Sequence, residues 1–202
     1  MFNQSIKGRA ERFAKPKPAE SWNDVYDATG YKFACPQRWI EVSDKVVHNV
    51  TQLQTLVANE DCLFVNVWRP ITASKEPRAV MAWIHGGSFT QGTIFSEYYD
   101  GRFISSLGDV IVVTINYRLD AFGFLYTGTE DAPGNVGLHD QILALKWIQE
   151  NIASFGGDPK KVTVLGESAG SFSTGALVLS PLTKGLFRRA IMQSGKLNHN
   201  TH

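Results

Sequence analysis

Several features that often identify a protein's class are scarce in this 202-residue chain. It has two cysteines and a net charge of +1. The small net charge gives no electrostatic reason to expect binding to nucleic acid or to an anionic membrane. No apolar stretch is long enough to span a bilayer, and residues 1–9 lack the apolar core of a signal peptide. We also find no repeat, low-complexity tract or inter-domain linker.

The two cysteines, Cys35 and Cys62, do not have the Cys-x-x-Cys spacing of a redox motif, and two thiols alone cannot form a zinc site. They are either free thiols of a cytosolic protein or one disulfide, which would contribute about 3–4 kcal/mol in the chain-entropy model. Glycosylation sequons begin at Asn3 and Asn49. They favour a secreted protein, whereas the missing signal sequence does not. The residues alone leave the cysteine pairing and the compartment open.

The composition is that of a globular protein, with 43% hydrophobic and 19% charged residues. The length suits one domain or a large part of a bigger one. Residues 1–34 show little periodicity, and we predict an irregular segment there. Five later apolar runs predict strands: 63–68, 79–84, 110–115, 162–165 and 187–193. The first run stops at Pro70, which suits a strand towards an edge of the sheet.

Helical patterns separate these strands. An apolar stripe at three- and four-residue steps over 138–155 predicts a long helix that ends at Gly156. A second helix is predicted from Ala169 to about Leu179, where Pro181 ends it. Buried strands that alternate with amphipathic helices predict an α/β fold, in which helices flank a central, mostly parallel sheet.

The most informative motif is Gly166-Glu167-Ser168-Ala169-Gly170, which follows the apolar run 162–165. A Gly-x-Ser-x-Gly element between a strand and a helix is typical of a nucleophile elbow, where a serine hydroxyl projects from a sharp turn. The glycines suit such a turn, because a side chain would crowd the adjacent backbone. We therefore interpret Ser168 as a nucleophile. Glu167 either tunes the pocket or is a buried structural carboxylate.

A second motif, His85-Gly86-Gly87-Ser88-Phe89, also follows a buried strand. Small residues there leave backbone N–H groups free to stabilise the oxyanion of an acyl-transfer reaction, and the N–H group of Ala169 is the natural further donor. We interpret His85 as a residue that packs and holds the loop rather than as the general base, since α/β-hydrolase triads run in the order serine, acid, histidine.

The other histidines and three acidic residues receive structural interpretations. We interpret His48 and His139 as structural residues. His199 and His202 follow Ser168 too closely in sequence for the chain to form a further strand with the triad acid and then bring a histidine back to the serine. Asp140, Glu150 and Asp158 are not interpreted as a paired-carboxylate site. We predict that they lie on a helix surface, on the interior face of a helix and in a turn, respectively.

Together these residues resemble the type-B carboxylesterases and lipases, which include the cholinesterases and have the α/β-hydrolase fold. The resemblance covers about Arg12 to Gly195. The stretches that carry it are highly specific together. They are Glu60-Asp61-Cys62-Leu63, Asn66-Val67-Trp68, Trp83-Ile84-His85-Gly86-Gly87-Ser88-Phe89, Asn116-Tyr117-Arg118-Leu119, Gly134-Asn135-Val136-Gly137-Leu138-His139-Asp140-Gln141, Phe155-Gly156-Gly157-Asp158-Pro159 and the serine motif.

The resemblance implies hydrolysis of small-molecule carboxylic esters by a secreted or lumenal enzyme, without a cofactor or metal. It implies that Ser168 accepts the acyl group, that the N–H groups of Gly87, Ser88 and Ala169 form the oxyanion hole, and that Cys35 and Cys62 form a disulfide. It says nothing of an oligomeric state.

The chain also departs from the family pattern. Ser88 and Asp120 stand where the family usually has glycine. The loop 36–61 has only Trp39, too close to Cys35 to match the choline-binding tryptophan of cholinesterases, which argues against a choline ester.

Compared with the family, the chain begins beyond the first strands, and the polar tail 196–202 no longer follows the pattern. We therefore expect a single incomplete domain over 1–202 that lacks the triad acid and histidine and is inactive alone. The alternative is a non-catalytic truncated isoform or an esterase-like binding protein.

Overall fold

The computed structural model describes residues 10–21, 23–30, 32–37 and 57–195. Their centre is a five-stranded sheet in the order β1-β3-β2-β4-β5. Strand β1 pairs antiparallel with β3, and the other three pairs are parallel. This confirms the predicted α/β class and mostly parallel sheet. The strands are β1 (Val65–Trp68), β2 (Arg78–Ile84), β3 (Ile111–Ile115), β4 (Gly157–Glu167) and β5 (Arg189–Gln193).

The central strands form where apolar residues run without interruption. Strand β3, with the sequence Ile-Val-Val-Thr-Ile, is buried at all five positions, because β-branched side chains pack well on a sheet covered on both faces. Strand β1 is an outer strand of the described sheet. This agrees with the prediction that the run before Pro70 lies towards an edge of the sheet. In the parallel register, Ile84 of β2 lies opposite Ile115 of β3 and Gly166 of β4. The carboxyl ends of these strands therefore meet at one edge of the sheet.

Helices flank this sheet, as predicted. The long helix packs its stripe Ile142, Leu145 and Ile148 into the main hydrophobic core, and Gly156, with φ of 81°, ends the 3₁₀ turn that follows it. The helices are α1 (Arg102–Gly108), α2 (Asp120–Phe124), α3 (Val136–Asn151) and α4 (Ala169–Leu179), and the 3₁₀ turns are Glu97–Tyr99, Ile152–Phe155 and Pro181–Thr183.

All five strands of the described sheet begin at a residue other than the predicted one, and the difference is largest at β4. Strand β4 begins at Gly157 rather than Val162, since Gly157 already pairs with Arg78 of β2. The apolar run reports only the buried half of this strand. Strand β5 begins at Arg189 rather than Phe187. It is the outer strand of the described sheet next to β4, and its Ile191 and Met192 are 44% and 47% exposed.

Before residue 35, the described residues contain turns, bends and an isolated bridge between Ala34 and Ala58, but no helix or strand. Both sequons, His48, Trp39 and the tail 196–202 lie outside the described residues. In the described part of the chain, no helix combines the length and apolarity needed to cross a bilayer.

Candidate active site

The serine motif forms a sharp strand-to-helix bend. Strand β4 ends at Glu167, α4 begins at Ala169, and Ser168 between them has φ of 52° and ψ of −119°. This region of backbone space costs a non-glycine residue about 1–3 kcal/mol, and such strain occurs most often at functional sites. The Ser168 N–H donates to the carbonyl oxygen of Gln193 at 2.9 Å, and the Ser168 carbonyl accepts from Phe172 at 3.0 Å. The bend is therefore anchored to β5 and to α4.

Only glycine fits on either side of this serine. A Cβ on Gly166 would lie 2.3 Å from the carbonyl oxygen of Gly170, and a Cβ on Gly170 would lie 2.1 Å from the carbonyl oxygen of Ile84. Both distances are far below van der Waals contact with rigid backbone. The sequence predicted that side chains at these two positions would crowd the adjacent backbone. In the structure, the crowding at Gly170 comes from the close approach of α4 to the end of β2.

The second motif lies against the first. A Cβ on Gly86 would lie 3.2 Å from the Cβ of Ser168 and 2.8 Å from the carbonyl oxygen of Glu167. The following residues turn through left-handed backbone, with φ of 107° at Gly87 and 56° at Ser88. Within the described part of the chain, no acceptor binds the N–H groups of Gly87 and Ser88.

The turn itself is closed by hydrogen bonds to the Gly87 carbonyl oxygen, which accepts from the N–H groups of Thr90 and Gln91, both at 3.0 Å. A Cβ on Gly87 would lie 2.0 Å from the Gln91 carbonyl oxygen. Gly87 therefore cannot be replaced without opening the turn. Ser88 adopts left-handed φ although its side chain disfavours it, as expected where the family usually has glycine.

His85 is fully buried beneath this turn. Its Nδ1 donates to the carbonyl oxygen of Gly86 at 2.8 Å, and its own carbonyl oxygen accepts from the Tyr117 hydroxyl at 2.9 Å. The imidazole stacks on the Tyr117 ring at a centroid distance of 4.5 Å. Burial lowers the pKa of His85 to about 4, and the bond to Gly86 opposes that shift. A neutral His85 that holds the loop agrees with the interpretation of this residue as structural.

Gln37, which sequence analysis missed, connects the disulfide region to this loop. The disulfide between Cys35 and Cys62 is present, as the family resemblance implied. Two residues after Cys35, the Gln37 side chain donates to the Gly92 carbonyl oxygen at 2.9 Å and accepts from the Gly92 N–H at 2.8 Å. Gly92 in turn lies against the His85 ring, since a Cβ there would be 2.4 Å from Nδ1. No local sequence pattern marks this long-range contact.

Glu167, which the sequence left with two interpretations, is half-buried behind the loop. Its Oε2 would be 2.9 Å from a Cβ on Gly86. The pKa of Tyr99 is raised, first by burial and second by the negative charge of Glu167. Glu167 therefore contributes a negative potential close to the bend that carries Ser168.

The interpretations of Asp140 and Glu150 were wrong. Asp140 is 3% exposed and accepts from the Arg118 backbone N–H, Nε and Nη2 at 3.0, 2.8 and 2.7 Å, whereas Glu150 is exposed. A periodic pattern cannot show that a charged residue on the inner face has found a buried partner. Asp158 accepts from the Lys160 N–H at 2.9 Å, as a turn residue does.

No residue in the described ranges supplies a hydrogen bond to the Ser168 hydroxyl. The described histidines are His85, which is turned towards Gly86, and His139 of α3. The described residues likewise contain no group of three or more histidine, cysteine or acidic side chains that could hold a metal ion. The site thus consists of a strained serine, the glycine turn against it and their backbone N–H groups.

A mostly parallel sheet with a serine on a strained strand-to-helix bend defines the α/β-hydrolase class. Within that class, the family model described as "Carboxylesterase family" matches residues 8–201. The chain belongs to the carboxylesterase family.

Curated relatives agree with this assignment. The chain is 50% identical to acetylcholinesterase-1 of Trittame loki over 91% of this chain and 33% of the relative. It is 51% identical to para-nitrobenzyl esterase of Bacillus subtilis (strain 168), and this match covers 91% of this chain and 37% of the relative. It is 49% identical to carboxylesterase 1D of Rattus norvegicus, where the match covers 91% of this chain and 33% of the relative. The chain spans about a third of the length of these relatives.

A solved structure of a thermophilic PNB esterase has the same fold, with a TM-score of 0.83 and 44% identity. The match covers 96% of this chain and 41% of that one.

Proposed function

We propose that this chain carries the acyl-accepting serine and the oxyanion hole of a carboxylic ester hydrolase. Ser168 is the nucleophile in this proposal, and the N–H groups of Gly87, Ser88 and Ala169 stabilise the oxyanion. The observation that carries it is the strained backbone of Ser168, which lies directly against the glycine turn. Two N–H groups of this turn, those of Gly87 and Ser88, have no acceptor among the described residues. Such strain persists only where the surrounding structure enforces it, and it occurs most often at functional sites.

The chemistry follows from this arrangement. The Ser168 oxygen attacks the ester carbonyl carbon, and negative charge moves to the carbonyl oxygen. Each N–H group aimed at that oxygen lowers the barrier, and removal of one donor typically costs about 3–4 kcal/mol. Collapse of the tetrahedral intermediate expels the alcohol, and water then releases the acid. Both steps need a base for the serine or water proton.

We further propose that these 202 residues alone turn over esters slowly or not at all. His85 is buried, has its pKa lowered to about 4 and donates to Gly86, so it is unsuited to accept a proton from Ser168. Loss of a triad member typically reduces kcat by about 10⁶. The alternative, an esterase-like binding protein without catalysis, is disfavoured because the serine and its strained backbone are both retained.

The substrate is proposed to be a small-molecule carboxylic ester. Sequence identity does not distinguish between candidate ester substrates, because the chain is as similar to an acetylcholinesterase (50%) as to a para-nitrobenzyl esterase (51%). The short spacing from Cys35 to Trp39 argues against a choline ester. The disulfide supports an oxidising compartment, and we propose a secreted or lumenal location.

Covalent labelling tests the nucleophile. A fluorophosphonate probe should label the purified chain slowly at Ser168, and free imidazole should accelerate the reaction by supplying the missing base. Ser168→Ala should remove the label, whereas Ser106→Ala, at an exposed serine of α1, should not. Labelling that is distributed over other serines would refute the assignment. Fast, stoichiometric labelling with a burst on a nitrophenyl ester would refute the predicted inactivity instead.

A further inference from the structure

The half-buried side chain of Gln37 holds both backbone polar groups of Gly92. Its Nε2 donates to the Gly92 carbonyl oxygen at 2.9 Å, and its Oε1 accepts from the Gly92 N–H at 2.8 Å. The same Nε2 also donates to the Cys35 carbonyl oxygen at 3.1 Å. One carboxamide thus satisfies Gly92 as a neighbouring strand would, and it ties Gly92 to the cysteine that forms the disulfide.

Gly92 in turn lies against the hydrogen bond beneath the glycine turn. A Cβ on Gly92 would lie 2.4 Å from His85 Nδ1 and 2.8 Å from the Gly86 carbonyl oxygen. These two atoms are the donor and the acceptor of the 2.8 Å bond that holds Gly86. A displacement of Gly92 would therefore change the space available to both partners of that bond.

The direction of the Gly86 carbonyl determines the direction of the Gly87 N–H. Both groups belong to one planar trans peptide, in which the C=O and the N–H point in opposite directions. Two glycines flank this peptide, and glycine offers little steric resistance to rotation. The bond from His85 to the Gly86 oxygen is therefore the contact that aims the Gly87 N–H, on a turn that lies against Ser168.

We propose that Gln37 is a positioning residue of the oxyanion hole. It acts through Gly92 and the His85–Gly86 hydrogen bond on the direction of the Gly87 N–H, and it touches no reacting atom. The inference rests on the proposed function for the role of that N–H, but not for its direction. The contact that forms this link spans 55 residues of sequence.

The first test replaces the carboxamide by a group of similar size. Gln37→Met removes the hydrogen bonds to Gly92 and keeps most of the volume. We expect fluorophosphonate labelling of Ser168, in the presence of imidazole, to slow by about tenfold to a hundredfold, since loss of a well-placed oxyanion donor typically costs at least that much. The loss should lie in the limiting rate. The probe concentration at half-maximal rate should change less, because the oxyanion forms only in the transition state.

The matched control is Gln149→Met. Gln149 is also half-buried, and its Nε2 also donates to two backbone carbonyl oxygens, those of Pro159 at 2.9 Å and Leu186 at 2.8 Å. It lies on α3 and has no such link to the glycine turn. Gln149→Met should lower the melting temperature as much as Gln37→Met does, but it should leave the labelling rate within about twofold of wild type. This comparison separates positioning from a general loss of stability.

The second test is rescue by the conservative variant Gln37→Glu. A carboxylate can accept from the Gly92 N–H but repels the carbonyl oxygens of Cys35 and Gly92, whereas a protonated carboxyl group can donate to one of them. Relative to wild type at the same pH, labelling should recover at least about threefold between pH 8 and pH 5.5, because the carbonyl oxygens favour the protonated form. His85, on the other side of Gly92, stays largely neutral over this range because its pKa is about 4.

A third measurement needs no reaction. In a chain labelled with ¹⁵N-glycine, the amide resonance of Gly87 should move or broaden in Gln37→Met and should stay in place in Gln149→Met. Thermal melts show that each variant is folded at both pH values. If Gln37→Met does not fold, the two pH values of Gln37→Glu still decide the question.

The proposal is overturned if Gln37→Met labels within about twofold of wild type, or if Gln149→Met slows labelling equally. It is also overturned if Gln37→Glu shows no recovery at the lower pH, or if the Gly87 resonance is unchanged. Its failure is distinct from that of the proposed function. A wild-type chain that is not labelled at Ser168 refutes the nucleophile, while the Gly87 resonance still tests Gln37.

Discussion

Protonation of His85 should destabilise the fold well above the pH at which carboxylates titrate. The ring is fully buried, its Nδ1 is occupied by Gly86, and Nε2 has no hydrogen-bond partner among the described residues. Burial lowers its pKa to about 4, whereas an unfolded histidine has a pKa of about 6.5. Between these values the unfolded chain binds the proton and the folded chain does not, so stability falls as the pH falls from about 6.5 towards 4.

The size of this effect follows from the two pKa values. Proton linkage predicts that the free energy of unfolding falls by about 2 kcal/mol between pH 7.5 and pH 5 because of His85 alone. For a chain of this length the unfolding entropy is about 0.4 kcal/mol per kelvin, so the melting temperature should fall by about 5 °C. Asp27, Glu60 and Asp158 also have lowered pKa values, but because they are carboxylates their contributions appear mainly below this pH window.

The assay is a series of thermal or urea melts from pH 7.5 to pH 5 on the wild-type chain and two variants. His85→Asn keeps an N–H donor where Nδ1 lies but cannot titrate, so it should lose about 2 kcal/mol of the pH dependence, whatever its absolute stability. His139→Gln is the matched control at a half-buried histidine whose pKa is also lowered, mainly by burial. It should remove less of the pH dependence of stability than His85→Asn does. Equal pH slopes for the wild-type chain and His85→Asn would refute the reasoning.

Three further predictions concern covalent and packing constraints. Replacement of Cys35 and Cys62 by alanine should cost about 3.5 kcal/mol in urea unfolding, because the closed loop spans a separation of 27 residues. Gly170→Ala should abolish the folded state or the fluorophosphonate labelling, since its Cβ would lie 2.1 Å from a backbone oxygen of β2; circular dichroism and labelling distinguish these outcomes. Asp140→Asn should cost about 3–5 kcal/mol in the same unfolding assay, because it leaves the Arg118 guanidinium buried without its carboxylate.

Each of these predictions has its own control. Reduction of the wild-type chain should reproduce the cysteine double variant, and an unchanged midpoint would contradict the disulfide's contribution. Gly30→Ala, where a Cβ meets nothing within 4 Å, should leave folding and labelling intact. Glu60→Gln removes an exposed ion pair with Arg12 and should cost less than about 1 kcal/mol. A loss for Asp140→Asn as small as for Glu60→Gln would show that the buried pair is dispensable.

Much of the fold was predictable because its signals are local. The apolar runs located all five strands of the described sheet, and the spacing of apolar residues located the long helix, since periodicity shows which face of an element is buried. The strand and helix on either side of Ser168 were predicted for the same reason. Boundaries were less accurate where pairing extends a strand beyond its apolar run, as at Gly157 of β4.

The candidate site was only partly predictable. The motifs identified Ser168 and the glycine turn, but nothing local shows that Gly86 lies against Ser168, that Gln37 holds Gly92, or that Asp140 pairs with Arg118. These contacts join residues far apart in sequence, and several chemically reasonable partners exist for each.

The sequence by itself determined the α/β class, the positions of the strands and the residue types at the bend, because propensity, periodicity and the steric demands of a tight turn act over a few neighbouring residues. The tertiary structure alone decided which backbones approach closely enough to require glycine and which charges are buried in pairs. The physical reason is that close packing depends on the order and register of the strands, which bring the ends of β2 and β4 together.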